Sequence, residues 1–163
     1  MQTDTQIVRA TLKGGSHHFG LLVKRYADYL FGLGMRISSG NVALAEDASQ
    51  QAFLKAFTYL KSFDQSKDFK HWLTGIAVNC CRDQLKDASR YSEFEGAVED
   101  SYISTPDSND EFFKLIRPLN DEEKQLFVLR YVYEYSIDEI GQMLDIKPGT
   151  VKSKLSRGVE KLR

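Results

Sequence analysis

The stretch that decides the fold is YSIDEIGQMLDIKPGTVKSKLSRG, residues 135–158. Ser136-Ile137-Asp138-Glu139 has the S-x-x-E form of a capping box, in which the serine side chain accepts from the N–H three residues on and the glutamate reaches back to the serine N–H. A helix therefore starts after Ser136, turns Ile137, Ile140 and Leu144 to one side, and stops near Asp145. Ile146-Lys147-Pro148-Gly149 turns the chain, and Pro148 suits the first turn of a second helix, where a missing N–H costs nothing. On that helix, which runs through Leu162, Val151, Leu155, Val159 and Leu162 fall within about 80° of one another. Ser153, Ser156 and Arg157 point the other way, with Thr150 and Lys152 on the flanks. Two helices joined by a tight turn make a helix-turn-helix: an apolar stripe seats the second helix, and short polar and basic side chains reach base edges and phosphates in a major groove. A basic helix with a solvated outer face has a similar composition, but the capped first helix and the Pro-Gly turn favour DNA binding.

Upstream the same periodicity continues. Leu21, Leu22, Tyr26, Tyr29, Leu30 and Leu33 form one helical stripe, and Phe53, Phe57 and Leu60 another. Strand signals are weak, because Asn/Gly turns between alternating runs are missing. The expected fold is all-α, with two helical domains at 10–88 and 111–163. Between them, over 89–110, Ser, Thr, Gly and Pro mix with Glu93, Glu95, Glu99, Asp100 and Asp107, which reads as a mobile acidic linker.

Composition removes several function classes. The 22 Lys and Arg against 23 Asp and Glu leave a net charge of −1, which excludes an unselective nucleic-acid packager. Positive charge is instead local, with six basic residues against Glu160 between Lys147 and Arg163. No apolar run approaches the roughly 18 residues of a membrane span, and the first residues lack a basic signal-peptide start, so a cytoplasmic chain without membrane insertion is expected. Cys80 and Cys81 are adjacent and cannot staple distant segments, and Cys80 falls on an apolar stripe that suits an inert core role. No H-E-x-x-H, P-loop or nucleophile elbow is present, and His17, His18 and His71 read as surface residues, so no enzyme, metal or cofactor is expected.

Two further polar faces lie in the N-terminal half. A helix from Phe69 places Phe69, Trp72, Leu73, Ile76, Ala77 and Cys80 on its apolar side and His71, Gly75, Asn79, Arg82 and Lys86 on a polar stripe. Asn and Arg grip bases and phosphates, while a glycine lets a backbone approach closely; the preceding polar loop, Ser62 to Asp68, is suited to hold an unstacked base. Taken alone, that stripe is better explained as a solvated face. In AEDASQQAF, residues 45–53, Asp47, Gln50 and Gln51, with Leu54 beyond, form a face fit for a partner helix. Ala45, Ala48, Ala52 and Ala56 mark close helix packing.

Together AEDASQQAF at 45–53, F-x-x-W-L-x-x-I-A-x-N at 69–79 followed by C-R-D, and the closing block at 135–158 resemble the bacterial RNA polymerase sigma factors of the extracytoplasmic-function type. The resemblance covers about 10–88 and 110–163. It implies a promoter-specificity subunit whose first domain binds the clamp helices of the polymerase largest subunit and opens the minus-10 element, and whose second reads the minus-35 element and touches the polymerase flap. Carried over residue by residue, it assigns Asp47, Gln50, Gln51 and Leu54 to polymerase. It assigns Phe63, Asp64, Gln65, Ser66, Lys67, Gly75, Asn79 and Arg82 to the minus-10 strand, and Thr150, Lys152, Ser153, Ser156 and Arg157 to the minus-35 duplex. Gln51 stands where the family usually has an acid, and Gly75 where some members have a basic residue. The linker lacks the extra domain of larger sigma factors. The runner-up is a stand-alone helix-turn-helix regulator of duplex DNA; an anti-sigma partner is left open. The free protein is expected to bind promoter DNA poorly, its acidic linker competing for the basic helix.

Overall fold

Capping chemistry sets the helix starts in the computed structural model, which describes residues 1–95 and 110–163. Ser136 Oγ accepts from the Glu139 N–H at 3.1 Å while Glu139 Oε1 accepts from the Ser136 N–H at 2.9 Å. Asn120 with Glu123, and Thr3 with Gln6, repeat the same reciprocal pair. The helices are α1 (Asp4–Leu12), α2 (Phe19–Ile37), α3 (Val42–Thr58), α4 (Phe69–Glu95), α5 (Asp110–Leu115), α6 (Asp121–Phe127), α7 (Ile137–Leu144) and α8 (Pro148–Lys161). Short 3₁₀ turns lead into α2 and follow α3, and a wide π turn over Val128–Val132 extends α6. Among the described residues there is no strand, and no helix long and apolar enough to cross a membrane.

Small residues bring α2 and α3 together. A Cβ on Gly34 would sit 2.9 Å from the Ala45 Cα, and Ala45, Ala48, Ala52 and Ala56 are all buried, so the alanine stripe is a packing seam. Asp145 ends α7 in the left-handed conformation, φ 54°, as the helix-turn-helix turn requires.

Two expectations are corrected. The stretch read as linker from residue 89 is helical as far as Glu95, because no glycine or proline lies between Gly75 and Gly96 and an anchored helix extends through polar residues of adequate propensity. Asp110, at the other end of that stretch, already belongs to α5, and residues 96–109 lie outside those described. The apolar side of α4 is also rotated from where its periodicity suggests: Trp72 and Ile76 are half-buried, while Val78 and Cys81 join Leu73, Ala77 and Cys80 inside. Burial pushes the Cys81 thiol up to about 12, which suits an inert packing role.

The helices on either side of 96–109 share one hydrophobic cluster. Leu30, Leu73 and Val78 belong to it together with Ile116, Leu129 and Ile140.

Candidate functional site

The outer face of α8 is open. Val151 and Leu155 are buried, and Gly158 admits the Phe127 ring, whose Cε2 would lie 2.4 Å from an added Cβ. With that side seated, Thr150, Lys152, Ser153, Ser156 and Arg157 are all exposed. Two other lysines of the helix are engaged by α6: Lys154 pairs with Glu122, and Lys161 Nζ lies 2.7 Å from Glu123 Oε1. Burial alone would raise the Glu123 carboxyl, but hydrogen bonds from Lys161 and the Asn120 N–H, and the nearby charges of Lys161 and Arg157, hold it below the ordinary value. Lys152 and Ser156 of the exposed row also line a groove between the π turn and α8, floored by Ile137, Leu155 and Val159 and edged by Arg130 and by Arg163, which pairs with Glu160 at 3.5 Å.

A second face lies on α3. Asp47, Gln50 and Gln51 are exposed, and Leu54 is 66% exposed. Phe57, one turn further on, is 42% exposed although its spacing had placed it on a core stripe. It extends the face while its other side rests on Phe19, 5.3 Å away ring to ring.

The loop before α4 divides into an anchor and a rim. Phe63, expected among the DNA contacts, is only 5% exposed and packs on Trp72 at 4.9 Å and edge-on to Phe69 at 5.6 Å. Its role in the loop is to hold it in the core. Asp64 Oδ1 accepts from Ser66 N at 3.0 Å and Ser66 Oγ at 2.7 Å, which stiffens the turn and lowers the Asp64 pKa. Asp68 Oδ1 accepts from the His71 N–H at 3.1 Å and caps α4. Gln65 and Lys67 are left exposed on the rim. Arg9, which sequence reasoning did not single out, reaches from α1 and donates Nε–H to Gln65 Oε1 at 3.1 Å. It lies 56 residues away in the chain, so no local pattern could have pointed to it.

The polar stripe of α4 meets two fates. Arg82 is exposed and Asn79 half-buried, but Gly75 is buried and His71 Nε2 lies 3.1 Å from Glu139 Oε2 of α7. A Cβ on Gly75 would come within 2.0 Å of the Met143 carbonyl oxygen. The glycine does admit a close backbone, and that backbone is the chain's own.

Two family models match the chain. The family described as Sigma-70 region 2 matches residues 22–91, and Sigma-70, region 4 matches 110–162. The chain is 34% identical to the ECF RNA polymerase sigma factor SigW of Bacillus subtilis strain 168, over 96% of this chain and 92% of that one. It is 32% identical to the ECF RNA polymerase sigma-E factor of Escherichia coli K12, over 97% and 91%. In fold it is similar to RpoE in its complex with the anti-sigma factor NepR from Bartonella quintana (TM-score 0.72, 23% identity, 88% of this chain and 93% of that). It is also similar to CnrH in complex with the cytosolic domain of CnrY (TM-score 0.69, 22% identity, 98% and 94%). With a helix-turn-helix at one end, a capped loop and polar helix at the other, and relatives above 30% identity along nearly its whole length, this chain belongs to the ECF RNA polymerase sigma factors.

Proposed function

We propose that this sigma factor docks on core RNA polymerase through the α3 face of Asp47, Gln50, Gln51 and Leu54, widened by Phe57, and directs initiation at promoters read by two separate surfaces. The exposed α8 row is the observation that carries this reading: five polar or basic side chains stand exposed on a helix whose opposite side is buried. Thr150, Lys152, Ser153, Ser156 and Arg157 meet the minus-35 duplex. The polymerase flap meets the adjoining groove, whose apolar floor of Ile137, Leu155 and Val159 suits the apolar face of a helix.

At the other end Asn79, Arg82 and the rim residues Gln65, Ser66 and Lys67, with Arg9 beside them, hold the non-template strand of the minus-10 element. Phe63 shapes that loop from within, and the exposed Asp64 stiffens its turn. The two functional domains are 10–88 and 111–163. The factor works in the cytoplasm, where polymerase and promoter meet, and the chemistry of transcription belongs to the polymerase. An anti-sigma protein is a further partner, on the precedent of the RpoE–NepR complex.

The docking assignment is tested by pull-down of core polymerase with Asp47→Ala/Gln50→Ala. Both side chains are exposed, so helicity should hold while retention of core enzyme falls at least tenfold. Unchanged retention would remove these residues from the interface. A stand-alone regulator of duplex DNA would bind its operator without polymerase and retain no core enzyme.

A further inference from the structure

The loop before α4 is braced from outside by the N-terminal helix. Helix α1 is itself firmly held: the Thr3 and Gln6 capping box starts it, Ile7 and Val8 are buried in the core cluster, and Asp4 binds the Arg25 guanidinium and the Tyr26 hydroxyl of α2. The Tyr26 ring lies 5.9 Å from Phe69, the same ring against which Phe63 of the loop stands edge-on. Helix α1 and the loop therefore rest on one aromatic floor, and Arg9 bridges them on the exposed side.

Within the loop the backbone has little freedom left beside Gln65. Phe63 is buried before it, the Asp64 carboxylate accepts from Ser66, and the Lys67 N–H donates to the Asp64 carbonyl at 2.9 Å. The freedom that remains is the side-chain amide, which carries a carbonyl oxygen on one side and two N–H donors on the other. An unheld glutamine can turn either side to a base and discriminates little. Arg9 removes that choice. A guanidinium has five donors and no acceptor, so the oxygen of Gln65 must face it, and turning the amide over would set N–H against N–H. The Gln65 amide nitrogen is then the part turned away from Arg9.

We infer that Arg9 is a positioning residue for promoter recognition: it locks the Gln65 amide in one orientation, so that this side chain offers a base donors only. The inference rests on the reading above in which the loop meets the minus-10 strand. Donors suit a base edge with two neighbouring acceptors, such as N7 and O6 of guanine or N3 and O2 of cytosine. Adenine sets its N6 amino group against the same donors, and the N3–H of thymine stands between its two oxygens. One position of the minus-10 element should accordingly favour guanine or cytosine, and that preference should depend on a residue 56 positions away in the chain.

The test is in vitro transcription by holoenzyme assembled from this chain and core polymerase, on a promoter library randomised across the minus-10 element, with the transcripts sequenced. The wild type should prefer guanine or cytosine at one position, and Gln65→Ala should reduce that preference about tenfold. Arg9→Ala should flatten the same position to a similar extent while the other positions and the retention of core polymerase stay unchanged. Both residues are exposed, so circular dichroism should show the fold intact. Gln65→Glu isolates orientation: a carboxylate still pairs with Arg9 but gives the base acceptors only, so the preference should move toward adenine, whose N6 amino group donates. A wild-type preference for adenine at the position that Gln65 governs, or an unmoved preference in Gln65→Glu, would overturn the donor-only presentation. Flattening by Gln65→Ala with an unaltered profile for Arg9→Ala would overturn the orienting role and leave the loop as a minus-10 reader. An even loss of output for Arg9→Ala, restored by Arg9→Lys, would overturn it too and make Arg9 a phosphate anchor. No change at any position with Gln65→Ala would remove base reading by Gln65, and the inference with it.

Discussion

Helices α4 and α8 both carry a polar stripe opposite an apolar one, yet α8 keeps its stripe open and α4 spends part of its own on α7. The difference lies in what stands in the middle of each. On α8 the central positions are Ser153, Ser156 and Arg157, whose side chains project and keep a neighbouring backbone at a distance. On α4 the central position is Gly75, and the backbone carbonyl of Met143 fills the notch. A glycine inside a polar helical face therefore signals close approach without naming the partner, which is a base, a phosphate or another helix by turns.

The comparison breaks most decisively if α7 is loosened, because that helix seats α8 on one side and meets α4 on the other. Ile140 is fully buried, and Ile140→Ala should cost about 3 kcal/mol, read as a lower urea midpoint. Both the helix-turn-helix and the α4 contact should weaken together. A loss under about 1 kcal/mol would mean that α7 can collapse onto the cavity and that the two faces are less dependent on it than the packing implies.

A smaller effect sharpens the α8 side alone. Arg157→Ala should cost roughly 1–3 kcal/mol on the preferred upstream element and relax discrimination at one or two base pairs. Lys154→Ala behaves differently, since Lys154 is held by Glu122: it should cost a few tenths of a kcal/mol of stability, as a partly exposed ion pair does, with little change in sequence preference. In vitro transcription from a library of upstream elements checks both. An even loss of output for Arg157→Ala would make Arg157 a phosphate anchor and pass base reading to Lys152, Ser153 or Ser156.

The least effect is that of pH, and it acts on both faces through carboxylates at helix starts. Hydrogen bonds from the Ser136 N–H and hydroxyl, then the His71 charge, hold the Glu139 carboxyl below its ordinary 4.5, and Glu123 is lowered by the net of the opposing causes described above. A carboxyl whose folded pKa is depressed adds stability above its unfolded value and loses it as pH falls through the folded one. Urea midpoints should thus be flat from pH 7 to about 5 and decline below about 4.5, and Glu139→Gln should make that decline shallower. An equally steep decline in the variant would place the acid sensitivity elsewhere.

Much of this was legible one element at a time. Ser136 with Glu139 marked the start of α7, Pro148 the start of α8, and the spacing of Val151 and Leu155 told which side of α8 would be buried, all through bonds and periodicities spanning a few residues. The five exposed residues of α8 followed from that. The burial of Phe63 was not legible because a residue in a polar loop shows no periodicity, and it depends on Phe69 and Trp72 closing over it. Phe57 differs in the other direction, with helical spacing typical of a core but 42% of its surface exposed. Arg9 carried no local signal at all.

What the sequence determined by itself is what short-range chemistry determines: an all-helical chain, the cap and turn of the helix-turn-helix, and the family, whose motifs are contiguous runs of residues. What only the tertiary structure decided is which polar faces stay open. Whether Gly75 meets solvent or Met143 depends on helices separated by more than sixty positions, and on whether Tyr135 finds Tyr29 across 106. No periodicity within α4 or α7 encodes that pairing, because each stripe by itself is satisfied equally by water, by nucleic acid or by the other.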